Sequence, residues 1–98
     1  MFWREKPAGR ALLGKWMGRF NGEPIAMEFH KGGRLAYVAL SPRGPTQIMR
    51  LTWRVEGDDL ITDQPSHPDE QRTKFSVSGD VLSLTLAGHL TELRREAR

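Results

Sequence analysis

A chain of 98 residues, 38% hydrophobic and 28% charged with no cysteine, has the composition of one disulfide-free globular domain. No apolar run approaches the roughly 18 residues of a membrane span, and Met1-Phe2-Trp3-Arg4-Glu5-Lys6 is too charged for a signal peptide, so a cytoplasmic location is expected. The 15 basic side chains exceed the 12 acidic ones to give a formal net charge of +3, which raises a nucleic-acid partner as a question for the charge distribution to answer.

Residues 1–6 match no pattern and are expected to fray. Residues 7–13 open on a proline and carry Ala8, Ala11, Leu12 and Leu13, which suits a short helical turn. From Trp16 onward, short alternating or apolar runs separated by turn residues predict strands. The first covers 16–20 and ends at Asn21-Gly22-Glu23-Pro24. The second, 25–30, alternates Ile25, Met27 and Phe29 with Ala26, Glu28 and His30. Lys31-Gly32-Gly33 supplies the positive φ angles of a tight hairpin. The third strand, 34–40, places Leu35, Tyr37 and Ala39 on one face and Ala36, Val38 and Leu40 on the other, and Ser41-Pro42-Arg43-Gly44-Pro45 ends it. Residues 46–55 alternate most cleanly, with Met49, Leu51, Trp53 and Val55 facing inward. Glu56-Gly57-Asp58 leads into a strand at 59–63, residues 64–71 form the longest loop, and 73–77, 81–86 and 89–95 complete the series around Ser78-Gly79-Asp80 and Ala87-Gly88.

About eight short strands on hairpin-sized links predict an all-β, antiparallel up-and-down meander, since parallel pairing needs connections of a dozen residues or more. Closure into a small barrel removes its exposed edges. The phrases at 53–60 and 75–82 are one hairpin chemistry used twice.

Against that frame Gly14-Lys15-Trp16 resembles the Gly-x-Trp of the first strand in lipocalin-like domains, preceded here by a short helical turn as in that family. Leu93-Arg94-Arg95 resembles the last-strand arginine that packs over that tryptophan, so Gly14, Trp16, Arg94 and Arg95 form the motif that carries the likeness to small bacterial-type lipocalin-like, or calycin-like, barrels. The resemblance spans about residues 12–95. It implies a barrel plugged at one end by the N-terminal segment and often used to hold a small apolar ligand. The chain departs from true lipocalins in its short length and its lack of cysteine.

In a meander, successive links alternate between the two ends. The tight turns at 31–33, 56–58 and 78–80 share one end with both termini, and the longer, proline-stiffened links at 21–24, 41–45 and 64–71 gather with 87–88 at the other. That second end is the expected mouth of a ligand site. Its rim candidates are Arg43, His67 and His89, above inward-facing Phe29, Tyr37, Met49 and Phe75. Because Phe29, Tyr37, Trp53 and Phe75 all face inward, close packing is expected to leave only a shallow cavity. Trp16 and Trp53 read as packing residues of the closed end.

Residues 1–20 sum to +4, residues 94–98 to +2 and the remainder to −3, so the basicity belongs to the termini. Glu56, Asp58, Asp59 and Asp80 share that end and are expected to neutralise it in part. There is no stripe of arginines interleaved with exposed aromatics, which argues against a nucleic-acid surface, although Arg50, Arg54, Arg72 and Lys74 share one outer face.

No catalytic pattern is present: there is no Gly-x-Ser-x-Gly and no cysteine, and the acidic pairs Asp58-Asp59 and Asp69-Glu70 read as turn and loop residues. His30, His67 and His89 are too dispersed for a metal motif, and zinc would require His67, His89 and Asp69 to converge. No cofactor is expected. The expected function is non-catalytic binding of a small apolar or amphipathic molecule. The alternative is a protein-interaction or inhibitor module with a filled core. A third feature bears on the latter: Ala36, Val38 and Leu40 face outward beside Ala26 and Ile48, an apolar patch that a twofold homodimer would cover.

Overall fold

The structure, a computed structural model, describes residues 7–20, 22–40, 46–64, 69–86 and 88–96. The frayed start expected at residues 1–6 and the rim residues Arg43 and His67 lie outside the described residues. A short helix, α1 (Pro7–Leu12), precedes eight strands: β1 (Gly14–Phe20), β2 (Glu23–His30), β3 (Arg34–Ala39), β4 (Gln47–Glu56), β5 (Asp59–Asp63), β6 (Gln71–Ser78), β7 (Val81–Leu86) and β8 (His89–Arg95). Each strand pairs antiparallel with the next, and β8 returns to β1, so the sheet closes in simple up-and-down order as the alternation predicts. Among the described residues no helix is long and apolar enough to cross a membrane.

The three tight turns do what their glycines allow. Gly57 and Gly79 open the two-residue turns between Glu56 and Asp59 and between Ser78 and Val81, at φ 60° and 58°. Equal conformations at equal positions explain why the two hairpin phrases look alike.

Register sorts the side chains by face. The rows Trp16–Met27–Tyr37–Met49 and Gly18–Ile25–Ala39–Gln47 run across β1 to β4 on the inward-facing side, and Leu82–Leu93 and Leu84–Thr91 continue them across β7 and β8. Leu12, Trp16, Phe29, Leu60, Leu82, Leu84 and Leu93 are among the most deeply buried side chains of this core.

Two buried side chains depart from the alternation: Ala26 in the outer row of β2, and Ile61. Ile61 pairs with Arg54 on one side and Arg72 on the other, and so faces outward, yet is only 1% exposed. The two guanidiniums flanking it meet on one carboxylate: Arg54 Nε donates to Glu56 Oε2 at 2.9 Å and Arg72 to Glu56 Oε1 at 3.1 Å. Long charged side chains flanking an apolar one in this way cover it with their stems while their heads stay in water, which accounts for the burial of Ile61. Arg54 also makes a bidentate pair with Glu70 at 3.0 Å on both arms, and Asp59 takes Lys74 at 2.7 Å and Arg72 at 3.3 Å. The basic outer face expected from Arg54, Arg72 and Lys74 is therefore an alternating ion-pair network. Glu56 and Asp59 neutralise these strand arginines and Lys74, and Asp80, at 3.3 Å from Arg95, is the closed-end acid that serves the C-terminal segment.

Candidate functional site

The barrel is closed at one end by side chains and α1. The Trp16 indole N–H donates to the Leu12 carbonyl at 2.8 Å, and Leu12 itself is fully buried. Arg95 then ties the helix down: one guanidinium nitrogen donates to Leu13 O at 2.7 Å and another to Ala11 O at 2.8 Å, while its carbon lies 4.2 Å from the Trp16 ring centroid. These carbonyls are groups a helix end leaves without internal partners. Gly14 is required beside them. Its φ is 118°, and a Cβ there would sit 3.1 Å from the Arg95 guanidinium. Of the two neighbouring arginines it is Arg95 that covers Trp16; Arg94 pairs opposite Met17 on the outer wall and is exposed.

Trp53 fills the level above the plug. Its indole donates to His30 O at 3.1 Å, Gly9 of α1 lies against its ring, and Phe29 meets it edge-on, with ring centroids 5.2 Å apart at 88°. Below mid-height the interior is thus full.

The other half is not. A cavity of about 260 Å³ opens toward the mouth, over a floor of buried Leu35, Leu60 and Leu84, with Phe20, Met27, Met49 and Leu51 in its walls. Four polar side chains complete the lining: Tyr37 from β3, Thr62 from β5, and Gln71 and Thr73 from β6. Thr62 and Gln71 are register partners, so the hydroxyl and the amide stand side by side. Burial pushes the Tyr37 phenol above its usual range, so it remains an O–H donor at neutral pH.

The strand lengths give this cavity a side opening. β4 begins at Gln47 but its pairing with β5 extends only from Thr52–Asp63 to Glu56–Asp59. Beyond that point the described residues show no β4–β5 pairing, and a smaller recess of about 120 Å³ lies between Met49 and Leu51 on one side and Thr62, Gln64, Asp69 and Gln71 on the other. Met49, Leu51, Thr62 and Gln71 border both spaces.

The candidates from sequence divide accordingly. Tyr37 and Met49 line the cavity. Phe29 does not: it is packed on Trp53 in the filled half. Phe75 does not either, because its backbone N–H donates to Asp58 O in a closed-end turn at 3.2 Å, which places it at the level of the plug. His89 is exposed at the mouth end of β8, outside the lining. The residues that sequence reasoning did not single out, Phe20, Leu60, Thr62, Gln71 and Thr73 among them, all lie on inward-facing rows. The open space is left because two of the four bulky rings counted on to fill the interior, Phe29 and Phe75, lie near the closed end on the β2 and β6 sides, and a third, Trp53, lies there too.

On the outer wall Met17, Ala26, Val38 and Ile48 form one continuous row across β1 to β4. Ala26 is buried within it, Ala36, Val38 and Leu40 are half-buried, and Ile48 is 58% exposed. Among the described residues no three His, Asp or Glu side chains come together as a metal site would require. Comparison of this chain with protein-family models, with curated proteins and with solved structures finds no match.

Proposed function

We propose that this protein is a lipocalin-like binder of a small apolar or amphipathic molecule, held without catalysis in the mouth-side half of the barrel. The observation that carries the reading is the contrast between the two halves: close-packed rings and a helix at one end, and about 260 Å³ of mostly apolar space at the other. Protein interiors are packed as densely as organic crystals, so an apolar recess left open to water in a chain this small is surface that a bound ligand would cover. Support for the lipocalin-like relation comes from Gly14, Trp16 and Arg95, which form one mutually dependent unit at the plug. The polar lining consists of hydroxyls and one amide, groups that orient a ligand by hydrogen bonds.

Native mass spectrometry of freshly purified protein, with uptake of a fluorescent apolar probe, tests the reading. A bound small molecule or saturable probe uptake is expected, and Leu51→Trp, which projects an indole into the cavity, should abolish it with the fold intact. Absence of both signals in the wild-type protein would overturn the proposal.

A second reading concerns the outer row Met17–Ala26–Val38–Ile48, for which a second copy of this chain is the fitting occupant. Lys15, Arg50 and Arg94 share that face with Glu28 and Glu92, and a mixed-sign rim around an apolar row is self-complementary under a twofold axis. Light scattering across a concentration series should give a dimer mass that Ile48→Asp reduces to the monomer; a monomer mass at all concentrations would refute it.

A further inference from the structure

The cavity's lining narrows its ligand, an inference that rests on the binding role proposed above. Size comes first. A cavity of about 150 Å³ admits a single six-carbon ring, so about 260 Å³ corresponds to a molecule of about ten non-hydrogen atoms. Orientation follows from the floor and the wall. Leu35, Leu60 and Leu84 are buried beneath the cavity and suit a hydrocarbon end, whereas the paired Thr62 and Gln71, with Thr73 one row deeper, offer hydrogen bonds along the β5–β6 wall, and Tyr37 adds a phenol from β3.

Charge decides the head group. Every polar side chain that lines the cavity among the described residues is neutral, and each can both donate and accept. The arginines beside these lining residues point the other way: Arg50, between Met49 and Leu51, and Arg72, between Gln71 and Thr73, alternate onto the outer wall, where Arg72 is held by Glu56 and Asp59. Among the described residues, the one formal charge bordering the side opening is that of Asp69, which is negative. A carboxylate drawn from water into this space would give up its hydration for hydroxyls and an amide, with no counter-charge among the described lining residues and with Asp69 repelling it at the opening. An alcohol or amide gives up far less and regains its hydrogen bonds.

We propose that the cavity selects an uncharged amphipathic molecule, a short hydrocarbon carrying a neutral hydrogen-bonding head such as a hydroxyl or carboxamide, and rejects the corresponding carboxylate. The raised phenol of Tyr37 is in keeping with surroundings that favour neutral over ionised forms.

A matched series tests this on the full chain: 1-nonanol, nonanamide and nonanoate, titrated into isotopically labelled protein and followed by amide chemical shifts. At about pH 7.5, where the acid is fully ionised, nonanol and nonanamide should bind with shifts centred on Tyr37, Thr62 and Gln71, and nonanoate at least about tenfold more weakly. Near pH 5, where part of the acid becomes neutral, the gap should narrow. Gln71→Lys, an exposed position that tolerates a longer side chain, places a cation beside Thr62 and should reverse the order in favour of nonanoate. Equal or tighter binding of nonanoate by the wild-type protein overturns the selectivity but leaves the binding role standing. An unchanged order in Gln71→Lys overturns the placement of the head group. Failure of all three compounds to bind overturns both proposals.

Discussion

Arg95→Met removes a single charge while keeping an apolar stem over Trp16, and its cost can be worked from the contacts. Two charge-assisted hydrogen bonds are lost, to Leu13 O at 2.7 Å and Ala11 O at 2.8 Å. Each contributes roughly 1.5–3 kcal/mol when a charged donor is involved. The cation over the Trp16 ring at 4.2 Å adds about 0.5–2 kcal/mol. The pair with Asp80 adds little, because that carboxylate is largely in water. Water can reach part of this site and rescue some of the freed carbonyls, which places the net loss at about 3–5 kcal/mol, out of the roughly 5–15 kcal/mol that holds a domain of this size together. In melting temperature that is a fall of roughly 15–25 °C. The loss should also be local before it is global. At six residues α1 is far below the length of a self-supporting helix, so its attachment depends on Arg95, on Leu12 and on the Trp16 bond. Urea denaturation gives the stability change, and amide exchange gives its location: Ala11–Leu13 should lose protection first, while the pairing of β3 with β4 persists. Arg95→Lys should fall between, since an ammonium keeps the charge but cannot span both carbonyls. A loss under about 1 kcal/mol, or an undiminished protection of α1 in Arg95→Met, would refute the idea that this arginine fastens the plug.

Gly18→Ala should destabilise by about 1–3 kcal/mol, although alanine ordinarily improves a strand. An added Cβ would lie 2.4 Å from Leu93 Cδ2 and 2.7 Å from the Glu92 carbonyl, which is backbone and cannot swing aside; a neutral or stabilising result by thermal melting would contradict the β1–β8 packing. The outer network gives a pH dependence of definite sign. Hydrogen bonds from Arg54 to Glu70, from Arg54 and then Arg72 to Glu56, and from Lys74 to Asp59 hold these three carboxyls below the usual carboxylate range, so their contribution is complete above about pH 4–5 and is lost as pH falls through the depressed values. All three are exposed, so the effect should be small and should diminish in about 1 M salt; a melting temperature that rises on acidification below pH 4 would refute it. Glu70→Gln should weaken the bidentate bond to Arg54 and flatten that acid limb, measured against wild type in the same buffers.

The strands and their order were readable because two independent signals agree. Side-chain alternation defines each strand's faces, and left-handed glycines at positions 32, 57 and 79 mark where the chain must reverse. Where only one signal was present the boundaries moved: β6 begins at Gln71, two residues before Thr73, because Gln71 and Arg72 look like loop residues until their partners Thr62 and Ile61 are known. Gly18 gave no warning at all. A glycine inside a strand leaves no mark in an apolar pattern, and its reason, the close approach of Leu93 and Glu92, is a contact across the closure of the barrel, between the first strand and the last.

The site was harder to read for a geometric reason. Alternation tells which face a side chain occupies but not how high it stands along the barrel axis, and height depends on the stagger accumulated from strand to strand. Phe29 and Phe75 face inward as their parity requires, yet one lies on Trp53 and the other at the level of the Asp58 turn, so neither borders the open space. Thr62, Gln71 and Thr73 have the same parity and lie mouthward of that turn. Their polarity made them look like ordinary edge or loop residues, when it is their height that turns them into the polar wall of a cavity. Stagger also parts the wall: a strand of ten residues beside one of five cannot be matched along its whole length, and the excess of β4 over β5 falls at the mouth. The position of the cavity, its side opening and its neutral lining are therefore consequences of one quantity, the offset between neighbouring strands, which no single strand's sequence contains.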